Sequence, residues 1–121
     1  TGAPEAANDT PANTINPDPP NLAPTWGSAD TLWIAAAVVG GNAARTFASD
    51  PTNYSSGITA TGGSDSTGVT MRALIRNLAA ASENPGAYGL DLSSSSTGIT
   101  LAVEPGGAAA VPKWNLIGVG S

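Results

Sequence analysis

The chain has 121 residues, room for one domain with or without an arm, and a formal net charge of −5. Fifteen Gly, ten Pro and only 11% charged residues argue against a helical bundle and favour short strands joined by many turns. The absence of Cys and His excludes disulfides, thiolate metal sites and Ser-His-Asp or Cys-His enzymes, and four basic residues are too few for a nucleic-acid-binding face.

The first segment, residues 1–24, is rich in proline and poor in large apolar side chains. Its prolines are Pro4, Pro11, Pro17, Pro19, Pro20 and Pro24. Each proline removes a backbone donor and favours extended geometry at the residue before it. We therefore predict an extended Pro-rich arm that is anchored on a neighbouring subunit through Ile15 and Leu22. A disordered linker is the alternative. Because residue 1 is Thr, we also expect a processed chain or a piece of a longer product.

The most apolar stretch of the chain follows a predicted turn at Trp26-Gly27-Ser28. It runs from Thr31 to Val39 and ends at Gly40-Gly41-Asn42. A short apolar run between turn residues predicts a strand that is buried on both faces, with Trp33 in the core. It is far shorter than the ~20 residues that a membrane-spanning helix needs, so we expect no membrane partner.

Two shorter strand candidates follow, separated by Asp50-Pro51. The first is Arg45–Phe47 and the second is Gly57–Thr61. The Gly- and Ser-rich residues 62–66 are predicted as a loop.

Residues 67–82 fit either a helix or a strand. Their large apolar side chains recur at helical spacing, as Met71, Leu74, Ile75, Leu78 and Ala79. The β-branched start of the segment, Val69-Thr70, is typical of strands. Periodicity alone favours the helix.

The second half of the chain alternates in the manner of strands. A predicted turn at residues 83–86 is followed by alternating residues 87–92, a polar loop at 93–97 and a second alternating segment, residues 98–104. Turn signals therefore recur about every ten residues, which predicts an antiparallel β-sandwich or barrel over residues 25–105.

Residues 106–121 form a predicted linker and tail. Their apolar side chains are Trp114, Leu116 and Ile117. We predict that this tail supplies an added strand to a neighbouring subunit.

Several of these strings resemble one protein family. Residues 26–35, WGSADTLWIA, resemble a signature of tailed-bacteriophage virion proteins. Residues 76–86 are similar to that family's turn, residues 99–105 to its final strand and residues 16–20 to its polar linker. The resemblance covers about residues 16–105 and departs from the pattern at Glu104, where the family has Arg. It implies a jelly-roll-like β-sandwich, and it implies a strand for residues 67–82, which we adopt.

The sequence offers little for catalysis. Its nine carboxylates are scattered singly, without the pairing that acid/base chemistry needs. We therefore predict no enzymatic activity, no cofactor and no metal.

The resemblance implies a structural component of a bacteriophage virion, either a capsid decoration subunit or a tail-associated one. Its expected partners are copies of itself in a homo-oligomer and other virion proteins, without nucleic acid. The candidate interface residues are Ile15, Leu22, Trp26, Trp114, Leu116 and Ile117. One alternative is a carbohydrate-binding module or receptor-binding fibre domain, with Trp26 or Trp114 stacking on sugar rings. A second alternative is an extracellular pilus-like fibre subunit.

Overall fold

The computed structural model describes residues 2–41, 45–64 and 67–106. The regular secondary structure in these ranges consists of eight β-strands: β1 (Glu5–Asn8), β2 (Ala12–Thr14), β3 (Ala29–Gly40), β4 (Phe47–Ser49), β5 (Ser55–Gly62), β6 (Val69–Ala80), β7 (Gly89–Leu90) and β8 (Ser94–Val103). The predicted all-β class with antiparallel pairing is confirmed.

Six strands form the main sheet, in the order β1-β8-β3-β6-β5, with β2 also paired to β8. The central strand β3 pairs with β6 from Ala29↔Ala80 to Gly40↔Val69 and with β8 on its other side. The remaining two strands, β4 and β7, form a small separate sheet. The hydrogen-bonded centre of the molecule is therefore the most apolar strand of the sequence.

The strand predicted over residues 67–82 is confirmed as β6. A helix would have gathered Met71, Leu74 and Ile75 on one side. The strand instead buries Leu74 and leaves Met71 and Ile75 on the opposite face. The helical spacing arises because both faces of this strand carry apolar side chains.

Other strand predictions need correction at their ends. The loop predicted at residues 93–97 is wrong, because β8 begins at Ser94 and pairs with β2 and β3. Its Ser-rich composition hid the alternation, since serine shows no contrast between inward and outward positions. The strand predicted at residues 45–47 lies at 47–49, and only residues 89–90 of the predicted 87–92 are a strand.

The segment that we predicted as an extended arm, residues 1–24, contributes β1 and β2 to the main sheet. Both strands pair with β8 of the same chain. The chain then crosses the sheet with Pro17 and Pro19 buried. Leu22 exchanges backbone hydrogen bonds with Glu83, at 2.9 and 3.0 Å. Prolines lie before, between and after β1 and β2 but not within them, so the backbone N–H groups that can pair with β8 are retained.

One face of the main sheet is covered, and the core lies there. Trp33 and Tyr88 are fully buried at its centre, together with Leu74. The Tyr88 hydroxyl donates to the carbonyl of Ala35 at 2.7 Å, which ties the covering layer to β3. The Trp33 indole N–H donates to the carbonyl of Leu78 at 3.0 Å. Trp33 is therefore a core residue, as predicted.

Candidate interaction surface

The opposite face of the main sheet carries apolar side chains from four adjacent strands. The antiparallel registers place them side by side, because residues of one parity share one face. We call this surface the open face; it consists of Leu32, Ile34, Ala36, Val38, Ile58, Ala60, Val69, Met71, Ala73, Ile75, Ile99, Leu101 and Val103. In the described part of the chain, the core residues that pack together all lie on the other face.

The open face is accessible at its β5 and β6 side. Ile58 is 69% exposed, Val69 44%, Met71 39% and Ile75 37%. Its β3 and β8 side chains are half-buried, except for the buried Ala36, because neighbours on the same face of a sheet shield one another. Soluble monomers rarely expose a contiguous apolar patch larger than a few hundred Å². This surface is therefore a stronger candidate for binding than any single exposed residue.

The relief of the open face follows from its register. Ile34 lies between Leu101 and Ile75, which makes a row of large side chains across the sheet. In the next row, Ala36 pairs with Ala73, so the centre of that row is low. The face is thus a raised row beside a shallow depression.

Charged side chains are placed on the covered face instead. Arg72 pairs with Asp50 through two hydrogen bonds of 2.6 Å, and Arg76 pairs with Glu83 at 2.8 Å. Among the described strand positions that point to the open face, the one charged residue is Asp30, near the start of β3. The residues that define the open face are therefore uncharged, in a chain of net charge −5, and Asp30 lies at the margin of that face.

The groups with shifted pKa values hold the covering layer on the sheet. The hydrogen bond from Arg72 lowers the pKa of Asp50 below its ordinary 3.8. A backbone hydrogen bond from Thr46 lowers the pKa of Asp91 in the same direction. Burial raises the pKa of Tyr54 and of Tyr88. Both tyrosines stay protonated at neutral pH and act as hydrogen-bond donors.

A polar cleft of about 460 Å³ lies beside β4 and β5. It is lined by Arg45, Thr46, Phe47, Thr59, Thr61, Thr70 and Arg72. Each of its guanidinium groups faces a carboxylate, Arg45 with Asp91 at 3.7 Å and Arg72 with Asp50. Because these charges are balanced inside the protein, the cleft gives no indication of a site for an anion.

The predicted interface residues that the structure describes differ in how far they are buried. Leu22 is buried in the core, and half-buried Trp26 donates its indole N–H to the Thr31 hydroxyl at 3.1 Å. Ile15 is exposed, while its carbonyl accepts a hydrogen bond from Leu90 at 2.8 Å. The remaining three candidates, Trp114, Leu116 and Ile117, lie outside the described residues.

The open face was missed because both faces of residues 31–39 were predicted to be buried. Only the odd-numbered face of β3 is consistently buried, and Leu32, Ile34 and Val38 on the even-numbered face are half-buried. The alternation in β8 separated the larger residues Ile99 and Leu101 from the small residues on the other face, but it did not show which of the two faces is covered.

No family model, curated protein or solved structure matches the chain. Within the described ranges, no helix is long and apolar enough to cross a membrane. The same ranges contain no group of three or more His, Cys, Asp or Glu side chains that could hold a metal ion.

Proposed function

We propose that this chain is a structural subunit of a bacteriophage virion, a capsid decoration or tail-associated component that acts through contacts with neighbouring subunits. The observation that carries the proposal is the open face, which is broad and apolar and, among the described residues, has one charged side chain, Asp30, at its margin. Soluble monomers rarely leave a surface of this kind open to water, so it marks a site that another layer covers. The virion is accordingly the proposed location, and other subunits are the proposed partners.

The position of the phage-like signature supports the same function. Residues 26–35 form the turn before β3 and the first part of that central strand. Within it, Trp33 fills the core and Trp26 hydrogen-bonds to Thr31. The string that resembles virion proteins thus serves to build the sheet, as expected of a subunit whose work is mechanical.

The finer architecture belongs to the same proposal. We propose a jelly-roll-like β-sandwich that takes in β1 and β2 as well as the predicted residues 25–105, with the main sheet as one layer and the β4–β7 pair within the other. Its support is the core between the two, where the Phe47 and Tyr88 rings meet edge to face at 5.3 Å. The added-strand role of residues 106–121 remains part of the proposal.

The carbohydrate-binding alternative has less support. A stacking platform needs an aromatic face that is open to solvent. Trp33 is fully buried, and Trp26 packs against the core. The exposed apolar side chains of the open face are aliphatic, which suits protein partners better than sugar rings.

Immunogold electron microscopy of purified phage particles tests the proposed function. Antibodies against the chain should label intact particles at regular positions on the shell or the tail. Antibody that has been preadsorbed with the purified chain provides the control and should remove the label. Unlabelled particles, with the chain confined to the soluble host fraction, would overturn the proposal. Selective binding of the purified chain on a glycan array would favour the carbohydrate alternative.

A further inference from the structure

We propose that the open face is covered by the open face of a second copy of this chain, so that two main sheets pack face to face. This inference rests on the proposed function, because it names the partner of the same surface. Three properties of the face support a second copy: its area, its charge and its relief.

The area of the face matches that of a stable dimer. Its four strands, β8, β3, β6 and β5, have 8 to 12 residues each. At about 3.3 Å per residue and about 4.8 Å per strand, the open face measures roughly 35 by 19 Å, or about 670 Å². Specific protein interfaces bury about 600–1,000 Å² on each partner. One sheet face therefore provides the contact area that a specific pair needs.

The charge distribution selects this face for self-association. Two copies that each carry a net charge of −5 repel one another over most of their surfaces. A two-fold pair brings identical patches together, so any charge on the patch meets its own sign. The centre of the open face avoids this repulsion, because Arg72, Arg76 and their carboxylate partners lie on the covered side of the sheet and Asp30 lies at the margin.

The centre of the face is self-complementary. The raised pair Ile34 and Ile75 lies next to the low pair Ala36 and Ala73, which Ile99 and Ile58 flank. A two-fold axis between these pairs seats the raised pair of one copy in the depression of the other. Stacked sheets lie about 10 Å apart with their strands about 30° from parallel, which lets such side chains interdigitate.

The C-terminal tail is too narrow to be the sole cover. A single extended segment occupies about one strand spacing of a sheet that is five strands wide. The fifteen residues 107–121 would leave most of the open face in water even at full extension. A second sheet covers the whole face.

Sedimentation equilibrium of the full-length chain tests the pairing. The chain has a mass of 11.8 kDa, and we expect about twice that mass for the wild type at micromolar concentration. Ala73→Glu places a carboxylate against the raised pair Ile34 and Ile75 of the other copy, with the second copy's carboxylate nearby across the two-fold axis, and should weaken self-association at least about 100-fold. The matched control is Ala87→Glu, the same change at an exposed position outside the sheet, and it should associate like the wild type.

Cross-linking provides a second measurement that does not depend on the charge variant. The natural chain has no cysteine, so Ala73→Cys and Ala87→Cys each introduce one unique thiol. A bis-maleimide that spans about the 10 Å between packed sheets should link Ala73→Cys into dimers and leave Ala87→Cys monomeric. If Ala73→Glu fails to fold by circular dichroism, this result decides.

Two outcomes would overturn the pairing: a wild-type chain that stays monomeric, or equal cross-linking at both cysteine positions. A monomeric chain on particles that the antibody labels would overturn the pairing alone. Dimers combined with unlabelled particles would overturn the virion function and support the pairing.

Discussion

Gly98 of β8 lies directly beneath the crossing of the Pro-rich segment, and its replacement by alanine tests that crossing. A Cβ atom at this position would lie 2.5 Å from the carbonyl carbon of Asp18 and 2.5 Å from the nitrogen of Pro19. Both neighbours are backbone atoms, so no side chain can rotate away. We expect Gly98→Ala to displace the crossing segment from the sheet.

The expected loss of stability follows from the distance that the crossing segment has to move to make room for the new Cβ atom. Ordinary contacts of a Cβ atom begin near 3.4 Å, so the segment has to move by about 1 Å. The Thr100 hydroxyl donates a hydrogen bond to the carbonyl of Pro20 beside this crossing. Overpacking costs about 1–3 kcal/mol, and alanine returns about 0.5–1 kcal/mol through backbone entropy. The net loss should be about 1–2 kcal/mol, which lowers the midpoint of thermal unfolding by roughly 5–15 °C.

Urea denaturation of the full-length chain measures this loss. Gly62→Ala is the matched control, because a Cβ at this β5 position meets nothing within 4 Å. It should leave the stability unchanged or raise it by up to about 1 kcal/mol. Equal stabilities for Gly98→Ala and the wild type would refute the close crossing. A loss that depends on protein concentration would show that the crossing segment comes from a neighbouring copy.

Two further predictions follow from contacts described above, and a third follows from the proposed role of the C-terminal tail. Tyr88→Phe should lower the free energy of unfolding by about 1 kcal/mol, because the buried carbonyl of Ala35 loses its donor; unchanged urea denaturation would contradict this. The lowered pKa of Asp50 means that its pair with Arg72 stabilises the fold above about pH 4, and that this contribution, up to about 1 kcal/mol, is lost as the pH falls through the lowered value. Unfolding measured between about pH 7 and pH 2 should show a shallower decline for Asp50→Asn than for the wild type. Deletion of Lys113–Ser121 should weaken assembly if the tail supplies an added strand, and unchanged particle incorporation of the truncated chain would contradict that role.

The sequence predicted where most strands lie, because Gly, Pro and Asn clusters end each alternating run. For residues 67–82, periodicity alone favoured a helix, and the structure shows that this was wrong. In β6 the two faces carry apolar side chains for different reasons, Leu74 for the core and Met71 and Ile75 for the open face. The β-branched start Val69-Thr70 and the resemblance to virion proteins were what pointed to a strand there.

Which face of the sheet is covered could not be predicted, because alternation identifies two faces without ranking them. The larger side chains of β8, Ile99 and Leu101, suggested the core side. The structure places Gly98 and Thr100 on that side instead, because the Pro-rich segment crosses close to the strand. That close crossing joins residues about eighty positions apart, and no local pattern reports it.

The two edges of the main sheet differ in whether a further strand can pair with them. At one edge, the short strands β1 and β2 pair with β8. The two strands are interrupted around Asp9 and are flanked by prolines. An edge of this kind resists the addition of a further strand. At the other edge, β5 is the last strand in the described part of the chain. Among the described residues, β5 is therefore the edge at which another strand can add. An antiparallel contact between two β5 strands would use this edge in both copies, so sideways association through β5 would stop at two copies.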